Sequence, residues 1–306
     1  MAKDFKTIEE LVHILESRGV KTDENTSAIL KRESYYAVVN GYKDSFLDHQ
    51  AMKKSEGDVY KPGTSFNDIF VLYLFDRELR QSIMPYIMSA ETIVKSAVVY
   101  AFCDNHRGML DYLCEENYVS SKDMLVPSGF KGNKKVEHDK NLNKLIEILR
   151  KKNKLSNRSK QYEIHYIEKH GGIPLWVLQN DLMFGNISHF YQLQKRGVQN
   201  QTCRIISEVN ENGRRIGARE LLNVITILVG FRNICAHDER LYCTRVKGHG
   251  FDHLLNALAI VLPNREAGEM TDRIFDKVEM FRGAISPESL NAMYTDENDI
   301  PLEYRQ

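Results

Sequence analysis

The sequence has 306 residues, and its 42 lysines and arginines balance 42 aspartates and glutamates. Hydrophobic residues make up 42% of the chain and charged residues 27%, a composition typical of a folded globular protein. The 15 tyrosines and 13 phenylalanines exclude a disordered tail, and the 18 glycines and 7 prolines are too few for a glycine-rich fibre. Zero net charge excludes a uniformly basic nucleic-acid-binding protein, but it allows local clusters of charge.

The N-terminal segment and the cysteines predict a cytoplasmic protein. Charged residues interrupt the first ten positions, where a secretory signal would begin its apolar core. The most apolar long stretch, residues 83–103, contains Glu91 and Lys95, so we expect no membrane-spanning helix. The cysteines are odd in number and form no Cys-x-x-Cys pair, which is typical of reduced thiols. They are Cys103, Cys114, Cys203, Cys235 and Cys243.

Apolar residues recur at every third or fourth position through most of the chain, which predicts an all-α fold. In chain order, the predicted helices span residues 5–19, 65–103, 135–152, 158–170, 174–190, 201–209, 220–240, 251–261 and 266–281. Ser65 or Asn67 can cap the second helix, and Pro85 is expected either to kink it or to interrupt it, leaving two consecutive helices. Gly171 and Gly172 are expected to end the helix that begins at residue 158. Outside the helices, we expect at most a short hairpin near residues 40–60.

The length fits one large domain or two ordinary ones, and we predict a single helical unit over residues 1–306. Within it, residues 131–160 are interpreted as a basic insertion or surface helix, with eleven lysines and arginines against three acidic residues. This segment is either a solvated helix face or a surface that binds the phosphates of a nucleic acid. On the second interpretation, the predicted RNA-binding residues in this segment are Lys131, Lys134, Lys135, Lys144, Arg150, Lys151, Lys152, Lys154 and Arg158. Arg214 and Arg215, from a second basic group just before residue 220, are predicted to bind RNA as well.

A motif at residues 232–237, within the segment 174–262, carries the residues best suited to chemistry. It reads Arg-Asn-Ile-Cys-Ala-His. On a helix, Asn233 and His237 lie about 40° apart, and the long side chain of Arg232 can reach the same face. An imidazole can transfer protons at neutral pH and a guanidinium can stabilise a charged phosphorane, as metal-free RNA cleavage requires. The alternatives are surface contacts with the two acidic residues that follow, or a buried core histidine.

Four segments, in this order, resemble the Abi abortive-infection proteins of bacteria, of the AbiD/AbiF type. They are the Tyr-Tyr…Gly-Tyr segment at 35–42, the Phe-Asp…Leu-Arg segment at 75–80 with Glu91 and Lys95, the Trp…Phe-Gly segment at 174–188, and the motif region at 232–242. The last segment contains Arg-Asn-x-x-x-His, which resembles the signature of HEPN-domain ribonucleases.

The resemblance implies a HEPN-like helical bundle with additional N-terminal and inserted helices. It also implies a metal-independent endoribonuclease of phage defence that leaves 2′,3′-cyclic phosphate ends, with Arg232 and His237 catalytic and Asn233 supporting them. HEPN ribonucleases usually form homodimers, so Arg232 of one subunit is expected beside His237 of the other. Some relatives are restrained by a small structured RNA, which makes RNA both a predicted substrate and a predicted regulatory partner.

No metal or other cofactor is predicted. Cys235, Cys243, His249 and His253 are conceivable zinc ligands, but their spacing matches no standard zinc site. The sequence also lacks the GxxxxGK[ST], HExxH, GxSxG and GxGxxG motifs, so it does not support an ATPase, a zincin, an α/β-hydrolase or a dehydrogenase.

Two further groups have a structural and a functional interpretation. Trp176 and Phe184 are eight residues apart on one predicted helix face, where packing in the core is favoured over stacking on bases. Asp76, Arg80 and Glu91 are expected to form a buried ion network rather than a second functional patch, because Asp76 and Arg80 have the spacing of a helical ion pair.

Two other functions stay open. The first is an RNA-binding module that holds a structured small RNA without cutting it, with His237 acting only as a hydrogen-bond donor. The second is an all-α interaction protein whose polar motif closes a dimer. EDTA-resistant RNA cleavage that requires His237 would distinguish the nuclease from both.

Overall fold

A computed structural model describes residues 4–55, 57–157, 160–211 and 213–295. Over these ranges the chain forms helices and no β-strand, which confirms the predicted all-α fold. In residues 40–60, where a short hairpin was predicted as possible, the structure has an isolated bridge, between Leu47 and Tyr60. The neighbouring segment Tyr36–Asn40, although rich in β-type residues, forms a short π-helix.

Most of the α-helices fall close to the predicted positions, but the helices Thr26–Glu33, His49–Met52 and Pro287–Asn291 were not predicted. The α-helices are α1 (Ile8–Ser17), α2 (Thr26–Glu33), α3 (His49–Met52), α4 (Phe66–Asn105), α5 (Lys134–Lys152), α6 (Gln161–His170), α7 (Leu175–Leu178), α8 (Phe184–Gln192), α9 (Arg196–Val209), α10 (Ala218–Ala236), α11 (Phe251–Val261), α12 (Asn264–Phe281) and α13 (Pro287–Asn291). Short 3-10 helices span Lys43–Phe46, Asp111–Leu113, Glu115–Asn117, Leu155–Asn157 and Gln179–Asp181.

Helix α4 is continuous over 40 residues, so the predicted break at Pro85 is wrong. Ser65 caps the helix as predicted: the Asp68 N–H donates to its hydroxyl at 3.2 Å, and the Ser65 N–H donates to the Asp68 carboxylate at 2.8 Å. Proline removes one backbone hydrogen bond, the one to the carbonyl of Gln81. Pro85 and Gln81 are both exposed, so water can satisfy that carbonyl and the helix continues.

Within the described part of the chain, α4 is the one helix long and apolar enough to cross a membrane. Length and apolar composition are weak evidence for a membrane-spanning helix, because long core helices of water-soluble proteins share both properties. The helix also contains two ion pairs, Asp76 with Arg80 and Glu91 with Lys95, whose charges would be costly inside a bilayer.

Backbone contacts divide the chain into two compact units. Unit 1 comprises Met1–Ile83, Ile234–Asp252 and Asp272–Gln306, and unit 2 comprises Met84–Asn233 and His253–Thr271. Both units are discontinuous in sequence, so neither corresponds to a separate stretch of chain. The prediction of a single helical unit stays a prediction.

Each unit has its own apolar core. In unit 1 the rings of Phe75 and Phe281 pack with their centroids 5.6 Å apart. In unit 2, Phe190 packs edge-on against Phe102 at 5.1 Å and Tyr118 at 5.8 Å. Phe190 belongs to α8, which packs against α5, and this pairing positions the basic helix next to the motif-bearing helix α10.

Candidate functional site

The predicted motif lies at the end of α10, and its members fall into different units. Arg232 and Asn233 belong to unit 2, and His237 belongs to unit 1. Helix α10 ends at Ala236, although the sequence predicts a helix to residue 240. His237 therefore lies in the turn that follows the helix rather than on it.

In unit 2, Arg232 is paired with Glu91 of α4. Its Nε lies 3.4 Å from Glu91 Oε2, and Glu91 Oε1 lies 2.7 Å from Nζ of Lys95. The Glu91 side chain is 13% exposed and that of Arg232 is 36% exposed, so the guanidinium still reaches solvent. This corrects the expectation that Glu91 joins the ion network of Asp76 and Arg80: its ion pairs are with Lys95 and Arg232.

Arg232 and Asn233 line a cleft of about 220 Å³ between α5, α8 and α10, which we call the motif cleft. Its lining residues are Asn141, Lys144, Leu145, Ile148, Met183, Phe184, Gly185, Asn186, His189, Arg232 and Asn233. The residues from α5 are three or four positions apart, so they share one face of that helix. The first turn of α8 also lines the cleft, with the positive end of its helix dipole. Together with Lys144 and Arg232, it makes the cleft suited to a phosphate group.

His189 also lines the motif cleft, a position that the sequence did not predict. Its pKa lies below the ordinary histidine value, mainly because of burial, with Lys144 and Lys140 acting in the same direction and Gln192 and Glu137 in the opposite one. Its Nδ1 is buried and has no hydrogen-bond partner among the described residues. The residue lies directly after the Trp…Phe-Gly segment, but the sequence offered no sign that α8 faces Arg232.

Three predicted RNA-binding residues line a different cleft. Arg150, Lys151 and Lys154 lie along a more open depression of about 590 Å³, which we call the second cleft. Glu115 and Glu147 also line it, so its charge is mixed. Lys144 is thus the member of the predicted set that the structure brings to Arg232 and Asn233.

The remaining predicted RNA-binding residues that the structure describes line neither of these clefts. Lys131 and Lys135 are exposed at the start of α5, where the Lys134 ammonium donates to the carbonyl of Lys122. Lys152 pairs with Asp181 at 2.6 Å. Before α10, Arg214 pairs with Glu220 and Arg215 is exposed. Arg158 lies outside the described residues.

In unit 1, His237 is exposed, so it is not a buried core histidine. The next residue, Asp238, has a φ of 56°, in the left-handed region. The N–H of Glu239 donates to the carbonyl of Ile234 at 3.0 Å. A left-handed residue with this backbone bond is the Schellman ending of a helix, which explains why α10 stops four residues early.

Asp76 and Arg80 form the buried ion pair that their spacing predicts, with Arg80 Nη1 donating to Asp76 Oδ2 at 2.5 Å. The Tyr42 hydroxyl donates to the same carboxylate at 2.6 Å. Asp76 also accepts the backbone N–H groups of Leu241 at 3.0 Å and Tyr242 at 2.7 Å. Burial raises the pKa of the Asp76 carboxyl, whereas these four donors act in the opposite direction.

Two other predictions concerned the packing of Trp176 against Phe184 and a conceivable zinc site. Trp176 is 49% exposed while Phe184 is buried, so their predicted joint packing in the core is wrong. The 3-10 turn Gln179–Asp181 separates the two residues onto different helices.

Across the described ranges, no three histidine, cysteine or acidic side chains are grouped closely enough to hold a metal ion. Cys235, inside the motif, is a free thiol whose pKa burial raises to about 12.

Comparison with known proteins identifies the family. The family model described as Abi-like protein matches residues 28–243, which include all four segments quoted above and end just beyond the motif region. No curated protein matches the chain, and no solved structure matches it. The matched region covers well over half of the sequence. The chain therefore belongs to the Abi-like protein family, which associates it with abortive infection, a defence of bacteria against phage.

Proposed function

We propose that the chain is a metal-independent endoribonuclease that acts in the cytoplasm during abortive infection, as a homodimer with a HEPN-like arrangement of helices around the motif. The observation that best supports this is the motif cleft, where Arg232 and Asn233 meet Lys144 of the basic helix. Two cationic side chains and a helix N-terminus around one cleft suit a phosphodiester. The cleft therefore combines residues of the motif at 232–237 with a residue of the basic segment 131–160.

In the proposed reaction, His237 takes the proton from a ribose 2′-hydroxyl. The 2′-oxygen then attacks the adjacent phosphorus, the bond from phosphorus to the 5′-oxygen breaks as that oxygen takes a proton from water, and His237 returns its proton to the hydroxide left behind. The products are a 2′,3′-cyclic phosphate and a 5′-hydroxyl. Arg232 stabilises the charged phosphorane with its terminal nitrogens, since Glu91 engages Nε. In the dimer, Arg232 of one subunit acts beside His237 of the other, and Asn233 supports them.

The remaining cleft residues bind the substrate around the scissile phosphate. Lys144 neutralises a phosphate, and the exposed Met183 at the cleft offers an apolar surface to a base. The second cleft, with Arg150, Lys151 and Lys154, holds a more distant part of the strand or a small regulatory RNA.

A non-cleaving RNA-binding module is the alternative function. The observation in its favour is that Arg150, Lys151 and Lys154 line a cleft that contains neither Arg232 nor Asn233. Such a surface can hold a structured RNA without using the motif. Under this alternative, His237 donates a hydrogen bond and transfers no proton.

The experiment that separates the two functions uses the purified full-length chain and a mixed RNA substrate in EDTA. The proposal expects cleavage by the wild type, with 3′ ends that resist ligation until the cyclic phosphate is opened and removed. R232A and H237A are expected to lose at least about 100-fold in rate while they remain folded. Tight RNA binding without cleavage by the wild type would establish the alternative instead.

A further inference from the structure

We propose that Asp76, Arg80 and Tyr42 form a clamp that positions His237 by fixing the loop at residues 238–242. The inference rests on the proposed function, because it assigns His237 to the reaction. None of the three clamp residues is proposed to touch RNA; they act through the backbone that carries the histidine. All of the contacts involved lie within unit 1.

The first point of attachment is Asp238, the residue that directly follows His237. Its left-handed φ of 56° is unfavourable for a residue with a Cβ atom, and glycine is the usual residue at this position of a Schellman ending. Arg80 Nη2 lies 2.7 Å from Asp238 Oδ1. The ion pair offsets part of the unfavourable backbone conformation at the residue that follows His237.

The second attachment is to the backbone of the loop. Arg80 Nη1 donates to the carbonyl of Glu239 at 3.2 Å, and the Asp76 carboxylate accepts the N–H groups of Leu241 and Tyr242. Leu241 and Tyr242 are themselves buried. The loop is therefore held from its first residue after the histidine to the point where it enters the core.

Tyr42 completes the clamp from a third segment of the chain. Its hydroxyl donates to Asp76 and accepts from Arg80 Nη1 at 3.0 Å, and its ring stacks on that of Tyr242 with centroids 6.2 Å apart. Burial raises the pKa of Tyr42, so the hydroxyl stays protonated and keeps donating. The clamp thus assigns a role to the Gly-Tyr and Phe-Asp…Arg segments, which neither the motif cleft nor the reaction uses.

A fixed loop matters because proton transfer requires the imidazole to stay within hydrogen-bond reach of the 2′-hydroxyl. A misplacement of about 1 Å, even by a remote change, can lower a rate by about 100-fold. His237 is exposed, so its own packing does not fix it. The clamp supplies that constraint through the neighbouring backbone.

The test compares R80K and D76N with L79A, a control that removes buried side-chain volume one residue away without touching the clamp. R80K keeps the positive charge, but a lysine lacks the two terminal guanidinium nitrogens with which Arg80 contacts Asp76 and Asp238. We expect both clamp variants to lose about 100-fold in kcat with KM unchanged and to alter the pH profile of kcat. L79A should keep kcat and the profile, although it lowers the melting temperature. Clamp variants that keep both kcat and the pH profile would overturn the proposal.

Two variants at Asp238 test the mechanism of the clamp. Glycine tolerates the left-handed conformation without an ion pair, so D238G should lose less than about 3-fold in kcat, whereas D238A should lose at least about 10-fold. Equal losses in the two variants would contradict the role of the backbone conformation.

A readout that needs no activity separates this inference from the proposed function. Hydrogen exchange at the Leu241 and Tyr242 amides should accelerate in R80K far more than in L79A, and the His237 ring resonances should broaden or shift. If the wild type cleaves no RNA, the proposed function fails. The clamp is then decided by the exchange rates and the ring resonances, and unchanged values in R80K would overturn it.

Discussion

The guanidinium Nε of Arg232 lies 3.4 Å from a carboxylate oxygen of Glu91, 141 residues earlier in the chain. The same carboxylate pairs with Lys95 at 2.7 Å and is largely buried. The motif arginine is therefore oriented by a residue of α4. The sequence predicted Glu91 in an ion network with Asp76 and Arg80, and its pairing with Arg232 was not predicted.

The pairing predicts a specific kinetic effect of E91A. The variant should lower kcat about tenfold, equivalent to about 1.4 kcal/mol, because Arg232 loses its fixed orientation. RNA affinity should stay equal or increase, since a negative charge beside the motif cleft is removed. K95A is the matched control, because it leaves Glu91 to hold Arg232. A weaker RNA affinity with unchanged kcat in E91A would contradict the orienting role.

Lys144 is expected to contact a phosphate of the RNA. K144Q should weaken binding and reduce the slope of log K against log salt by about 0.7, the value for one phosphate contact on a single strand. K140Q is the control, since Lys140 is exposed on the same helix but does not line the motif cleft. Titrations of a single-stranded RNA at several salt concentrations measure both slopes. Equal slopes for K144Q and the wild type would show that Lys144 meets no phosphate.

Several helix ends and one ion pair were predicted correctly from residues that lie close together in the sequence. Ser65 caps α4, and Gly171 ends α6 with a φ of 77° because the left-handed C-terminal position favours glycine. The spacing of Asp76 and Arg80 placed them in an ion pair on one helix face. Each of these features depends on residues within four positions of one another, which is the range that sequence periodicity reports.

The predictions that were wrong, and the features that were not predicted, depend on how distant segments of the chain pack together. The end of α10 could not be read from the sequence, because Asp238 adopts its left-handed conformation beside Arg80, 158 positions earlier in the numbering. The juxtaposition of Lys144 with Arg232 depends on the packing of α5 against α8. Pro85 was expected to break the helix, but it lies at an exposed position that depends on how α4 packs, and the helix continues.

His189 predicts how stability varies with pH. Its pKa is lowered in the folded state, mainly by burial, so below the ordinary histidine pKa of about 6.5 the unfolded chain binds more protons than the folded one. Stability should therefore fall as the pH decreases from about 6.5 through the lowered folded-state pKa. H189Q removes this contribution and should lose less stability over the same range. Urea unfolding of both proteins at pH 7.5 and pH 5 measures the difference, and an identical loss would refute the assignment.

Cys235 lies inside the motif but is expected to take no part in the reaction. With a pKa of about 12, its thiolate fraction at pH 8 is on the order of 10⁻⁴, so alkylation should be slow. N-ethylmaleimide should leave RNA cleavage intact under conditions that label all cysteines of the unfolded chain. C235S should likewise keep its activity. Rapid inactivation with label on Cys235 would indicate a reactive thiol.

The central claim is tested most directly by the rate of RNA cleavage in EDTA by the wild type and by H237A, each purified as the full-length chain. Circular dichroism and the melting temperature verify that the exposed substitution leaves the fold intact. We expect cleavage by the wild type to 2′,3′-cyclic phosphate ends, and a loss of at least about 100-fold in H237A with RNA binding retained. Equal cleavage by the two proteins would contradict the catalytic role of His237.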